Sequence, residues 1–380
     1  MSKKTVAIFD LCVTSNSPIG SCLLQMIRGL CEDYQFVVFA DKFENPAPDR
    51  IKWIRVPLPE KPVFLRFMAF NWLAPQYYRN YVRVEGEPQI VIGTEGEFPN
   101  CDICYAHFCH KAYLKRFPNK ASFPRRFARS INRRFNASQE VKAYTHAETI
   151  VVPSKGLANE LTQVYGSLLE KKIKRIPNPV DVEHFTRPQT FDSQLMRTKL
   201  GLSSEDVVLV FAALGDFDRK GLKPLLEALA ILKNPQAKLL IVGGNHSEIK
   251  EYAAIRDRLE IAEKVVFLGF QSDVRPYLWL SDLFVFPSNY EVFPLVTLQA
   301  AVASLPIIAT KVYGVEEFLQ NGVNGWLIER DAKCIAETLK VALTDRERLL
   351  QMGVAAHHKA SEYNKTVFVE RWHTVLSSLV

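Results

Sequence analysis

The feature that most constrains this chain is a set of short, unbroken apolar runs, each followed by a stretch with helical periodicity. Val207-Val-Leu-Val-Phe-Ala-Ala-Leu-Gly215, Lys238-Leu-Leu-Ile-Val-Gly-Gly244, Val265-Val-Phe-Leu-Gly269 and residues 283–287 are of strand length and apolar on both faces. Strands buried on both faces belong to parallel sheets, whose connections are helical crossovers. The same rhythm runs through residues 5–9, 36–40, 51–56, 90–93 and 149–152. The chain is therefore expected to be α/β throughout, assembled from parallel β/α units.

At 380 residues the chain is long enough for two such domains, each with its own core. Pro177-Asn-Pro-Val-Asp181 interrupts the periodicity and marks the expected boundary. Composition is that of an ordinary globular protein, 48% hydrophobic and 23% charged, and no apolar stretch is long enough to span a bilayer. The N-terminal apolar run is too short for a signal peptide and ends in Asp10, so it reads as a first strand. Seven scattered cysteines, an odd number, fit reduced thiols in a cytoplasm better than a disulfide framework.

Charge is uneven. Residues 1–175 hold 26 Lys and Arg against 16 Asp and Glu, whereas the remainder holds 22 against 25. The first half is thus expected to meet an anionic partner. Residues 61–83 are dense in aromatics with arginines interleaved, and residues 111–134 carry nine Lys and Arg and no acid. Such ingredients suit an anionic membrane surface, or else a buried helix beside a solvated basic one. No nucleic-acid recognition module accompanies them, so no nucleic-acid partner is expected.

Several loops carry polar chemistry. Asp216-Phe-Asp-Arg219-Lys220-Gly221 follows a strand and opens a helix; its two cations can hold a diphosphate or simply be solvated. Ser288-Asn-Tyr-Glu291 also joins a strand to a helix, over residues 295–302, which aims free backbone N–H groups at an anion. Glu291 reads either as a sugar-hydroxyl acceptor or as a carboxylate favoured by the helix dipole. Gln299 lies eight residues on, about two helical turns, and so on the same side. Small residues around Gly20, after the first strand, either admit a ligand to a helix N-terminus or make a plain turn. Cys101-Asp-Ile-Cys104-Tyr-Ala-His107-Phe-Cys109-His110 is too crowded for a zinc finger and reads as a strand entering a loop. His110, with His107 second, is the functional choice there, a satisfied core histidine being the other reading.

The segment from Pro287 to Gln299 resembles the signature of retaining glycosyltransferases of family 4. That signature has a proline-serine loop, a glutamate, a Gly-Phe-Gly-Leu-Val-like turn, and a second glutamate eight positions after the first. Glu291, Phe293, Leu295 and Val296 match; Val292, Pro294 and Gln299 depart from it. Pro294 has no N–H to offer, and Gln299 can hold a ribose hydroxyl only without charge. The resemblance implies a GT-B fold, two Rossmann-like β/α/β domains facing a central cleft: residues 1–177 for the acceptor and 178–362 for the donor. It also implies that the last helix, within 363–380, crosses back to the first domain. The same resemblance implies transfer from a nucleotide diphosphate sugar with no other cofactor and no metal, Arg219 and Lys220 stabilising the leaving diphosphate. Glu291 would orient the donor sugar and His110 would sit at its end of the cleft. Gly20, Gly269, Phe270, Phe293, Pro294, Leu295 and Gln299 would contact the donor. The expected acceptor is a glycan or lipid-linked hydroxyl, met by a cytoplasmic protein lying on the inner face of the membrane through residues 61–83 and 111–134. The alternative is a degenerate, non-catalytic nucleotide-sugar-binding protein, motivated by Gln299 and Pro294.

Overall fold

The structure, a computed structural model, describes residues 3–60, 64–117 and 125–379, with backbone alone for residues 64 and 125–133. Residues 61–63 and 118–124, parts of the proposed membrane-facing stretches, lie outside the described residues. The chain divides into two compact units, Met1–Pro179 with Lys365–Val380, and Val180–Asn364.

The first unit contains β1 (Lys4–Phe9), β2 (Cys12–Val13), β3 (Tyr34–Ala40), β4 (Lys42–Phe43), β5 (Lys52–Arg55), β6 (Ile90–Thr94), β7 (Ile103–Tyr105), β8 (Thr149–Val152) and β9 (Ile173–Arg175). Seven of them form one sheet in the order β5-β3-β1-β6-β7-β8-β9, while β2 and β4 pair separately. Every pairing is parallel, with Val6 opposite Phe36 on one side and Ile90 on the other. Residues 6–9 of β1 are wholly buried, as an interior parallel strand requires. Phe9 is sandwiched between Phe39 and Phe98, with ring centroids 4.4 and 3.8 Å away. The C-terminal helix Lys365–Ser377 belongs to this unit: fully buried Trp372 meets Tyr105 edge-on at 5.0 Å, and Val369 lies against Gly29.

The second unit contains β10 (Val207–Ala213), β11 (Ala237–Gly243), β12 (Val265–Gly269), β13 (Leu283–Phe286), β14 (Ile307–Thr310) and β15 (Gly325–Ile328). Their order is β12-β11-β10-β13-β14-β15, again all parallel. The four apolar runs of this half are its first four strands. β14 and β15, four residues each, extend the sheet beyond them. Both units are thus doubly wound parallel sheets whose strand order reverses once, between β1 and β6 and between β10 and β13.

Candidate active site

Where the strand order of an open parallel sheet reverses, the loops leaving the carboxyl ends diverge and a crevice opens. In the second unit the loops after β10 and β13 flank that point, and they carry Arg219, Lys220 and Glu291. The first begins with Asp216 in the left-handed region (φ 61°), its N–H donating to Glu248 Oε1 at 2.6 Å. One helical turn, Phe217–Lys220, then ends at Gly221 with φ +85°. A Cβ on Gly221 would come within 2.0 Å of the Pro287 carbonyl oxygen, so the two loops can touch only because this residue is glycine. The Asn289 N–H closes the contact by donating to the Arg219 carbonyl at 2.9 Å.

Glu291 is the hub. Its Oε1 accepts from Lys220 Nζ at 2.5 Å, Ser288 Oγ at 2.7 Å and Arg219 Nη1 at 2.9 Å. Arg219 also donates through Nε to Asp216 Oδ2 and through Nη1 to the Tyr290 carbonyl, both at 2.6 Å. The Lys220 ammonium sits 5.1 Å from the Phe286 ring centroid, a cation–π distance. Burial lowers the pKa of Lys220, and Arg219 adds to this, while Glu291 pulls the other way. The cluster holds two cations and two carboxylates. Glu291 keeps only 10% of its side chain exposed, whereas Asp216 keeps 54%.

Three residues that strap this site escaped the sequence reading. Ser288 binds Glu291 directly, Thr310 at the end of β14 donates to the Ser288 carbonyl, and Arg330 donates to the Pro287 carbonyl at 3.2 Å and to that of Asp218. Thr310 and Arg330 are far from the motif in sequence and carry no local pattern that would single them out. Ser288 stood inside the motif as one of several polar loop residues.

The remaining second-unit residues fall into two groups. Pro294 is the N-cap of the helix Leu295–Val302, with no side-chain cap. Proline costs that terminus one donor, and the N–H groups of Leu295 and Val296 remain without an intrahelical acceptor. Phe293 is buried, its ring 5.7 Å from that of Tyr363, so only its backbone is available to a ligand. Gln299 is half-buried on the same helix. Gly269 ends the edge strand β12, and Phe270 beyond it is 60% exposed. A shallow hollow of about 390 Å³ also lies in this unit, at Asp181, His184, Arg275 and Trp279. It contains none of the motif residues, and its Arg275 is bound by Asp273 at 2.7 Å.

Gly20 and His110 are placed in the first unit. Gly20 lies in the first turn of the helix Pro18–Leu30, where a Cβ would meet the Cys12 carbonyl oxygen at 2.3 Å and the Thr14 nitrogen at 2.8 Å. The chain's own backbone is thus reason enough for a glycine at this position. His110 opens the helix His110–Arg116, held by its N–H donating to Glu140 Oε1 at 3.0 Å. Glu140 is fully buried and also accepts from the Tyr144 and Tyr165 hydroxyls.

The His110 ring presents Nε2 to Glu95 Oε2 at 3.4 Å. Burial pushes the Glu95 carboxyl up, but the hydrogen bond and charge of His110, with the charge of His107, bring it below the usual value. His107 instead sits edge-on against Tyr105 at 4.3 Å, and burial takes its pKa down to about 4, against an upward pull from Glu95. Asp10 and Glu97 stand with Glu95 in the loops that follow β1 and β6. Burial raises Asp10 to about 6 and holds Glu97 well above the usual carboxylate range, with the neighbouring acids adding to both. The sequence reading missed this acid cluster, although Thr94-Glu-Gly-Glu97 directly after a strand was a signal for it.

Comparison with known proteins covers nearly the whole chain. Residues 19–184 match Glycosyltransferase Family 4, and residues 192–359 match Glycosyl transferases group 1. The N-acetyl-alpha-D-glucosaminyl L-malate synthase of Bacillus anthracis is 29% identical over 234 residues, 60% of this chain and 59% of its own. Matches to curated relatives span about half to three-fifths of those proteins' length. Among solved structures, WaaG, a glycosyltransferase involved in lipopolysaccharide biosynthesis, superposes with a TM-score of 0.80 at 19% identity, covering 97% of this chain and 99% of that one. Anabaena Alr3699/HepE in complex with UDP-glucose superposes with a TM-score of 0.76 at 19% identity, covering 98% and 99%. With two doubly wound parallel sheets, the C-terminal helix returned to the first unit, and both halves matched, the chain belongs to the family 4 glycosyltransferases of the GT-B fold.

Proposed function

We propose that this protein transfers a sugar from a nucleoside diphosphate sugar to an acceptor hydroxyl, with retention of configuration. The observation that carries the reading is the meeting of Arg219, Lys220 and Glu291 at the strand-order reversal of the second sheet. Arg219 and Lys220 supply fixed positive charge for a leaving diphosphate, the part a divalent metal plays in other transferases. The Leu295 and Val296 amides add donors to the phosphates, Gln299 takes the ribose, and the Gly269–Phe270 backbone takes the base. Glu291 orients the donor sugar through its hydroxyls. In the first unit, His110, set by Glu95 and Glu140, is the candidate for a role toward the sugar. In support, HepE was solved with UDP-glucose, and the Bacillus anthracis relative is named for glucosaminyl transfer. Offered an α-linked donor, the enzyme should yield an α-linked product by NMR, with turnover unchanged by EDTA. A β-linked product, or loss of turnover with the chelator, would sink this mechanism.

For the acceptor we propose a glycan or lipid-linked hydroxyl met at the inner face of a membrane. Trp72 is 69% exposed on the helix Phe64–Glu85, which also bears Arg79 and Arg83. Among the described residues no helix is long and apolar enough to cross a membrane, so contact would be peripheral. Flotation with vesicles containing anionic lipid at low salt tests this. Recovery of all the protein at the bottom of the gradient would remove it.

A further inference from the structure

We propose that Glu291 makes this site select a complete nucleotide sugar over the bare nucleoside diphosphate, by competing with the diphosphate for Arg219 and Lys220. The inference rests on the donor-site reading above. Both cations are already paired: Lys220 with Glu291, and Arg219 with Glu291 and Asp216. A diphosphate therefore meets cations that already have carboxylate partners, and it meets those two carboxylates there. Asp216 is half exposed, so water screens its repulsion; Glu291 is largely sheltered, so its repulsion is felt more fully.

The two oxygens of Glu291 are used differently. Oε1 takes all three donors, from Arg219, Lys220 and Ser288, and among the described residues no hydrogen bond reaches Oε2. A sugar attached to the diphosphate brings hydroxyl donors within reach of such an oxygen, and charge-assisted hydrogen bonds of that kind are strong. The same carboxylate then opposes a bare diphosphate and rewards one that carries a sugar. Once transfer has taken the sugar away, the opposition returns and favours departure of the nucleoside diphosphate.

The test is calorimetric titration of wild type, Glu291→Gln and Glu291→Asp with inorganic pyrophosphate, with UDP, GDP and ADP, and with their glucose conjugates. Glu291→Gln should bind pyrophosphate and the bare diphosphate on the order of tenfold more tightly than wild type, with a steeper loss of affinity in salt. Its preference for the sugar conjugate over the bare diphosphate should shrink. Glu291→Asp, which keeps the charge, should hold affinities for the bare ligands near those of wild type. Binding of bare diphosphate by Glu291→Gln that is no tighter than wild type overturns the proposal. If no nucleotide binds wild type but pyrophosphate binds Glu291→Gln more tightly, the competition stands and the donor reading falls. Failure of pyrophosphate and of every nucleotide and nucleotide sugar to bind either protein removes both. Glu291→Ala, titrated in the same way, replaces Glu291→Gln should that variant not fold.

Discussion

Lys220 Nζ lies 2.5 Å from Glu291 Oε1, although the two residues stand 71 positions apart and leave different strands. The sheet brings them together, because β10 and β13 are neighbours across the strand-order reversal. Replacing Lys220 by Met leaves Glu291 with Arg219 and Ser288, so the fold should hold while the diphosphate loses a cation. Donor turnover should fall about a hundredfold to a thousandfold, the range for removing one preorganised electrostatic group. Rate assays beside thermal melts check this; a large drop in melting temperature with normal specific activity would place Lys220 among the structural residues instead.

Gly221 sets how closely those loops approach. Gly221→Ala meets both a left-handed φ and the Pro287 carbonyl at 2.0 Å, so it should cost more than about 2 kcal/mol and lower turnover together with stability. Gly86→Ala is the control: its φ is +88°, but nothing lies within 4 Å of the added Cβ, so only the conformational cost of about 1 kcal/mol should appear. Equal losses in denaturant titrations of the two would contradict the close contact.

The C-terminal helix should be integral to the first unit. Trp372 is fully buried against Tyr105 and Phe368, so Trp372→Ala should destabilise by about 3–5 kcal/mol. Leu350 is 72% exposed, and Leu350→Ala should change stability by less than about 0.5 kcal/mol. Urea unfolding of both variants decides it, and a near-neutral Trp372→Ala would show that the helix contributes little.

Asp10 gives a dependence on pH. Its pKa is raised from 3.8 to about 6, chiefly by burial, so the folded state holds this proton more tightly than the unfolded chain. The resulting stabilisation is complete below pH 3.8 and is lost as pH rises through about 6. Above that, the buried carboxylate costs up to about 3 kcal/mol. Asp10→Asn should therefore raise the melting temperature at pH 8 and change it little at pH 4. An equal effect at both values would assign the stabilisation to something other than the charge.

Much of the fold was legible in the sequence because parallel strands buried on both faces leave unbroken apolar runs. Val207–Ala213 and Leu283–Phe286 could hardly be read otherwise. β14 and β15 were less plain, since β14 ends in Ala309 and Thr310 and, in β15, Trp326 and Leu327 are half-buried. Within the site, Arg219, Lys220 and Glu291 could be named because each sits in a strand-to-helix loop of marked chemistry. Their mutual pairing could not, because it depends on which strands are neighbours. Arg330 and Glu140 act through long-range hydrogen bonds, and such partners leave no trace in local pattern. Gly20 was ambiguous for a related reason: the sequence shows that room was needed, but not that the backbone at Cys12 and Thr14 is reason enough for it.

The most direct test of the central claim is a donor-hydrolysis screen, offering UDP-, GDP- and ADP-sugars to wild type and to Glu291→Ala without acceptor. The account predicts slow release of nucleoside diphosphate from one class of donor by wild type and its loss in Glu291→Ala. Tight binding of a nucleotide sugar with no release, in the presence or absence of candidate acceptors, would contradict it.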